Sequence, residues 1–231
     1  MGQYKFGLSA EFPCGYLRDQ QERLLIFADD EPLTPEIYAQ LQHNGFRRSE
    51  EIAYRPYCAQ CNACQSIRVL AHEFTPSRSH KRIQNKCQNF KIVIATEPKE
   101  SYYPLFERYI NERHSDGVMF PAQPSQLDSF TNCSWVSSYF IEVYAGKKLI
   151  AVAVGDQTEY ALSAVYSFFD PDYAHFSLGV YLILEQIKLT IVFRKPWLYL
   201  GYYIKDCNKM NYKNRFKPFE IRQNDEWIRY G

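Results

Sequence analysis

The run from Leu178 to Phe193 limits what this chain can become more than any other stretch of its 231 residues. It is long and apolar enough to resemble a membrane span, yet Glu185 and Lys188 stand in its middle. Charges at the centre of a bilayer are costly, so the run reads as a buried helix that opens near Ser177 and is ended by Pro196. Strands surround it. Ser138 to Tyr144 and Leu149 to Val154 flank Ala145-Gly146-Lys147-Lys148, a hairpin turn. Tyr160 to Phe169 is a third strand closed by Asp170-Pro171-Asp172, and Trp197 to Gly201 is a buried strand after the helix. Before them, Tyr102, Leu105, Phe106, Tyr109 and Ile110 form one stripe of a helix from Tyr102 to His114. The C-terminal half therefore runs helix, antiparallel strands, long helix, strand. The fold class is α/β with a mixed, mainly antiparallel sheet.

The N-terminal half is less regular. Residues 32–45 spell a helix, with Thr34 as cap, Pro35 at its first position, Asn44-Gly45 at its end, and Ile37, Tyr38 and Leu41 on its inner face. A cysteine-bearing loop follows. Ser66 to Phe74 alternates as a strand with Ile67, Val69 and Ala71 on one side. A basic helix runs from Ser77 or Ser79 to about Asn89, and Lys91 to Ala95 is a short β-branched strand. Residues 95–101 read as a linker. Pro121 and Pro124 bound a loop, and a short helix runs on to Asn132. The expected division is a cysteine-containing region over 1–96 and a second domain over 97–231. There is no internal repeat.

At 46% hydrophobic and 23% charged, the chain is globular by composition, and its net charge of +1 marks no nucleic-acid binder. The charge distribution says more. No acid lies between Glu73 and Glu97, whereas Arg78, Lys81, Arg82, Lys86 and Lys91 all do. A second run holds Lys205, Lys209, Lys213, Arg215, Lys217 and Arg222, opposed by Asp206 and Glu220. Either run suits a local polyanion site or a solvated face. The 19 Tyr and 16 Phe fill a core or stack on bases. The N-terminus lacks the apolar region of a signal peptide, and the context of Gly2 is poor for myristoylation. The expectation is a cytoplasmic protein with no membrane partner.

Seven cysteines are an odd count, and three of them are spaced Cys58-x-x-Cys61-x-x-Cys64. Thiolates two residues apart can chelate one ion from a tight turn, and Cys14 is the best fourth ligand, with Cys87 second. Such a set suits zinc or an iron–sulfur cluster, or else reduced cysteines that hold a loop. Cys133 and Cys207 read as buried thiols.

The ordered motifs resemble one family. Cys14-Gly15-Tyr16-Leu17, Gly45-Phe46-Arg47-Arg48-Ser49, Tyr54-Arg55-Pro56, the cysteine triplet and Ser77-Arg78-Ser79-x-Lys81-Arg82 are similar to the N-terminal region of arginyl-tRNA–protein transferases. His114-Ser115-Asp116-Gly117, Ser163-Ala164-Val165-Tyr166-x-Phe168-Phe169-Asp170-Pro171, Ser177-Leu178-Gly179, Tyr199-Leu200-Gly201-Tyr202 and Lys209-Met210-Asn211-Tyr212-Lys213 resemble its C-terminal region. The compact length and spaced triplet resemble the bacterial, leucyl-transferring branch. Leu17, Tyr57, Cys87 and Val118 depart from residues common in the family. The resemblance implies an N-acetyltransferase-like (GNAT-like) C-terminal domain and an enzyme that conjugates leucine from Leu-tRNA to the N-terminal Asp or Glu of proteins, marking them for degradation by the N-end rule. No cofactor is required for transfer.

That reaction joins an α-amine to an already activated ester, so it needs positioning, oxyanion stabilisation and proton transfer. His114 and Asp116 are candidates for moving the proton, and Tyr166 and Asp170 are placed at a strand end to contact substrate. Arg78, Lys81, Arg82, Lys209 and Lys213 are candidates for binding tRNA or the acceptor carboxylate. Each has a plainer structural role available: helix-end packing for His114, a packed ring for Tyr166, a turn for Asp170, and a solvated face for the two lysines. Two other activities remain open, transfer of arginine and CoA-dependent N-acetylation. None of the ten glycines forms the GxG of a pyrophosphate cradle, which argues against CoA.

Overall fold

A computed structural model describes residues 4–231. In chain order the elements are β1 (Phe6–Leu8), β2 (Phe12–Pro13), β3 (Gln21–Glu22), β4 (Leu24–Phe27), α1 (Pro35–His43), β5 (Arg47–Ser49), β6 (Ile52–Pro56), β7 (Gln65–Leu70), α2 (Arg78–Lys86) and β8 (Lys91–Ala95). They continue with α3 (Tyr102–Arg113), α4 (Pro124–Thr131), β9 (Ser137–Ala145), β10 (Lys148–Gln157), β11 (Ala161–Phe169), α5 (Leu178–Val192), β12 (Trp197–Tyr203), β13 (Phe219–Gln223) and β14 (Glu226–Tyr230). Short 3-10 turns span Ala71–Glu73, Pro171–Phe176 and Asn211–Arg215.

Eight strands form one sheet in the order β14-β13-β7-β12-β11-β10-β9-β8. Its pairings are antiparallel except β11 with β12, which the crossover helix α5 joins in parallel. The mixed, mainly antiparallel α/β expectation holds. Side-chain alternation splits the core between the two faces. Ile141, Ala151 and Ala153 face α5, whose Leu178, Leu182 and Ile187 are buried with them. Phe140, Val152 and Val154 face the other way, onto Tyr102, Phe106 and Ile110 of α3 and Leu127 of α4. Glu185 and Lys188 of α5 pair with each other across 2.7 Å. Among the described residues no helix is long and apolar enough to cross a membrane.

A smaller sheet, β1-β4-β6-β5, packs with α1. The Thr34 hydroxyl accepts from the Ile37 N–H at 3.3 Å, Pro35 follows the cap, and Gly45 leaves the helix at φ +85°. Ile37, Tyr38 and Leu41 are buried with Phe27, Phe46 and Ala53. Of this sheet the sequence reading found none of the strands, and the break between sheets does not fall at residue 96/97. The small sheet ends with β6 at Pro56, whereas β7 and β8, from within 1–96, belong to the large sheet.

One strand is shorter than its alternation suggests. The expected strand to Phe74 ends at Leu70, where its neighbours on both sides begin at Trp197 and Phe219. The residues preceding those, Pro196 and Pro218, bring no N–H to continue a ladder. The chain turns instead into the 3-10 segment Ala71–Glu73.

Candidate functional site

The parallel pair opens. β11 and β12 pair only at Ala161↔Trp197, Leu162↔Leu198 and Ser163↔Tyr199, although β11 runs on to Phe169 and β12 to Tyr203. Irregularities at the next residues bend each strand away. β11 shifts register against β10 opposite Val154/Gly155, and β12 shifts against β7 between Tyr199 and Tyr202, with Gly201 at φ +75°. Arg47, the first residue of β5, enters the gap. Its Nη2 donates to the Ala164 carbonyl at 3.3 Å and the Val165 carbonyl at 3.1 Å. A Cβ on residue 201 would lie 2.3 Å from the Arg47 guanidinium, so the glycine is what lets the two approach. Arg47 also lies over the Tyr202 ring, 5.8 Å from its centroid.

Lys213 is not on a solvated face. It is 6% exposed, and its Nζ donates to the Tyr202 carbonyl at 2.7 Å. Burial first, then the charge of Arg47, push its pKa well below the ordinary lysine value. Lys209, four residues earlier, is exposed. Residues 211–215 form a 3-10 turn, not the α-helix on which positions four apart would share a face.

His114 follows α3 and starts a tight turn, its carbonyl accepting from the Gly117 N–H at 2.9 Å. Its ring packs edge-on against Tyr109 at 4.8 Å. Burial, then Arg113 and Lys209, lower its pKa below the ordinary value, with Asp116 opposing. The imidazole is therefore neutral at pH 7 and able to accept a proton. Asp116 is exposed and lies 4.0 Å from Lys209, so this ion pair brings two sequence candidates together across the His114 turn. Tyr166 stacks on Phe130 at 4.2 Å, and its hydroxyl makes no hydrogen bond among the described residues. Tyr109 in turn packs on Phe169 of β11 at 4.9 Å, and Phe106 of the same helix lies 6.2 Å from the Tyr166 ring, so the His114 turn and Tyr166 are carried by α3 and β11 together.

Asp170 is committed elsewhere. Its carboxylate, 1% exposed, takes Arg108 at 2.9 Å and Lys148 at 2.7 Å, and it accepts from the Asp172 N–H to cap the Pro171–Phe176 turn. Burial alone would raise its pKa; Lys148, that N–H and Arg108 outweigh it and hold the carboxyl below its ordinary value.

Arg78, Lys81 and Arg82 are exposed on α2 and make no ion pair among the described residues. His80 on the same helix stacks at 5.1 Å and 9° on Phe216, the residue after Arg215. This contact places the first basic run beside the Arg215–Lys217 part of the second, an adjacency the spacing of the two runs did not show.

Cys14, Cys58, Cys61 and Cys64 all line one pocket of about 310 Å³ between the two sheets. The Cys14 sulfur accepts from the Tyr16 and Leu17 N–H groups at 3.4 and 3.5 Å. Burial, Glu22 and the other three sulfurs push the Cys64 thiol up to about 12. Four thiols are a soft donor set of the kind zinc or an iron–sulfur cluster takes. As placed, however, no three Cys, His, Asp or Glu side chains among the described residues are arranged to hold a metal ion. Cys87 is absent from the pocket lining, so it is not the fourth member. Arg55 and Arg222 line the same pocket, each with a buried Nε that has no hydrogen-bond partner among the described residues.

The strand opening holds two cations, Arg47 and Lys213, and neither is paired with an Asp or Glu among the described residues. Residues 12–82 match the profile of the arginine-tRNA-protein transferase N terminus, and residues 101–223 that of its C terminus. The aspartate/glutamate leucyltransferase of Pseudoalteromonas atlantica is 44% identical over 96% of both chains. Its counterpart from Shewanella putrefaciens is 47% identical over 96% of this chain and 94% of its own. The structure of L-PGS from Bacillus licheniformis superposes at a TM-score of 0.45, with 11% identity over 73% of this chain and 50% of that one, below the level at which a shared fold can be read. The chain belongs to the arginine-tRNA-protein transferase family, and it is an aminoacyl-tRNA–protein transferase.

Proposed function

We propose that this enzyme moves leucine from Leu-tRNA onto the N-terminal Asp or Glu of proteins in the cytoplasm, marking them for the N-end rule pathway. The observation that carries the reading is the aspartate/glutamate leucyltransferase name borne by relatives 44–47% identical across nearly the whole chain. We read the large sheet as an acyltransferase arrangement of the GNAT-like type, supported by the β11–α5–β12 crossover and the opening of its parallel pair.

In this mechanism the acceptor's α-amine, with a pKa of about 7.7–8.0 in peptides, attacks the ester carbonyl of the aminoacyl-tRNA. The new N–C bond forms, the ester C–O bond breaks, and the ribose oxygen leaves as a hydroxyl, taking up the proton that the amine gives up. His114 takes the amine proton, with Asp116 and Lys209 tuning it across the turn, and the Tyr166 hydroxyl faces the reacting groups. Asp170 supports β11 from its end through Arg108 and Lys148. Arg78, Lys81 and Arg82 hold tRNA phosphates, and Lys209 offers a further cation to the tRNA. Holding amine and ester together contributes up to about 7–11 kcal/mol of the barrier reduction. The cysteine set supplies no step. A zinc ion or cluster there would hold the loop of residues 58–64 against Cys14, and metal content of wild type against Cys61→Ser checks it.

The test is transfer of labelled leucine from Leu-tRNA to peptides beginning with Asp, Lys or Ala, with Arg-tRNA and acetyl-CoA as parallel donors. Label reaching only the Asp peptide, from Leu-tRNA, supports the reading. Label from Arg-tRNA alone replaces leucyl with arginyl transfer, and label from acetyl-CoA alone overturns both.

A further inference from the structure

Arg47 and Lys213 are two cations set into one opening of the large sheet. Arg47 takes the carbonyls of Ala164 and Val165 on the β11 side, and Lys213 takes the carbonyl of Tyr202 on the β12 side. Neither makes an ion pair with any Asp or Glu among the described residues. Around Arg47 stand the hydroxyls of Tyr16, Tyr38, Tyr54, Tyr202 and Tyr212, and the carboxylate of Asp156, which Arg48 already holds; around Lys213, besides Arg47, stand the thiols of Cys64 and Cys207. The buried Arg48 on the same strand, by contrast, is matched by Asp156 through two bonds.

Lys213 is a buried cation without a carboxylate partner, which is costly, and the charge of Arg47 adds to that cost. Their retention calls for an anion that arrives from outside. Arg47 is only partly buried. Two of its nitrogens, Nε and Nη1, make no hydrogen bond to protein among the described residues and are not sealed from solvent, so they can still donate.

We propose that Arg47 and Lys213 together read the side-chain carboxylate of the acceptor's N-terminal Asp or Glu, an assignment that rests on the function proposed above. The carboxylate lies one or two methylenes from the α-carbon that carries the attacking amine. Seating it in the strand opening holds that amine near the ester. Arg47 supplies directed donors and Lys213 a point charge; an amide in place of the carboxylate would leave both cations unmatched. Lys213 was a candidate from its motif, whereas Arg47 lies in the motif Gly45-Phe46-Arg47-Arg48-Ser49, whose arginines come second to Arg78 and Arg82 as readers of a carboxylate. The cue is Gly201, whose missing side chain makes room for the guanidinium.

The experiment measures dissociation constants for two peptides that differ only in starting with Asp or Asn, together with Leu-tRNA affinity, for wild type, Lys213→Met and Arg47→Lys. Lys213→Met keeps the volume and loses the charge; Arg47→Lys keeps the charge and loses the fork. Each variant should lose about 10–100-fold of the Asp-over-Asn preference while its tRNA affinity holds. Preference intact in a folded Lys213→Met variant overturns the assignment, whatever Arg47→Lys does. So does weakened tRNA binding with preference intact, which would give the site to a donor phosphate. Peptide binding is read without turnover, so wild type that prefers Asp yet transfers no leucine would fail the functional reading and leave the carboxylate seat standing.

Discussion

Arg48 of β5 and Asp156 of β10 face each other with no exposed side-chain surface, Nη2 to Oδ1 at 2.7 Å and Nε to Oδ2 at 2.8 Å. The pair fastens the small sheet to the large one, and with it the strand from which Arg47 reaches the opening. Arg48 also donates to the Phe130 carbonyl at 2.9 Å, which ties in the end of α4.

Removing one partner leaves a buried charge alone. Arg48→Met should cost about 3–5 kcal/mol of stability, measured by urea denaturation, and Arg48→Met with Asp156→Leu should recover much of it. A single variant within about 1 kcal/mol of wild type would mean that water reaches Asp156.

Asp170 is ionised well before neutral pH, because Lys148, the Asp172 N–H and Arg108 outweigh its burial. A depressed carboxyl contributes stability that is present above its unfolded pKa, near 3.9, and is lost as pH falls through the lower folded value. Asp170→Asn should therefore destabilise the protein at pH 7 and flatten the loss of stability below about pH 4. The rate profile between pH 6 and 8 should keep its shape. A limb that vanishes from that window would make Asp170 a proton carrier.

His114 carries the opposite expectation. With an Asp peptide, log kcat/KM should rise with unit slope up to the amine pKa, about 7.7–8.0, and steepen toward two below the pKa of His114, itself under the ordinary value. His114→Ala should lose on the order of 10²–10⁴-fold and the steep section together. Lys209→Glu removes a charge that lowers the imidazole pKa, so the steep section should move to higher pH. A slope of one throughout, unchanged by either variant, leaves His114 as packing for Tyr109.

The exposed cations of α2 should act on tRNA alone. Replacing Arg78, Lys81 and Arg82 with Ala should weaken Leu-tRNA binding and lower the salt slope by up to roughly one per lost phosphate contact. Filter binding across a salt series reads both. Affinity and slope equal to wild type would remove α2 from the tRNA interface.

The elements legible in the sequence are those that carry their own punctuation. α1 has its cap, proline and terminal glycine within one short stretch, and α3 shows its buried stripe, so both follow from local rules. β8 is a β-branched run that matches its expected bounds. The small sheet carries no such signal. Its β1 and β5 are three residues long, too short for alternation to show, and their pairing is set by β4 and β6. The site divides in the same way. The four cysteines read as one metal site do line a common pocket but are not arranged to hold an ion, and the meeting of Lys209 with the His114 turn had no cue in the spacing. The strand opening was hidden, since its parts come from residues 47, 164, 201 and 213, which meet only when the sheets dock.

The central claim is leucyl transfer to an acidic N-terminus, and intact-mass analysis tests it most directly. An equimolar mixture of peptides starting with Asp, Glu, Asn and Gln is incubated with equal Leu-tRNA and Arg-tRNA, and each product is weighed. The account predicts one added leucyl residue on the Asp and Glu peptides and none on their amides. Arginyl products, or leucylation of all four peptides alike, would contradict it.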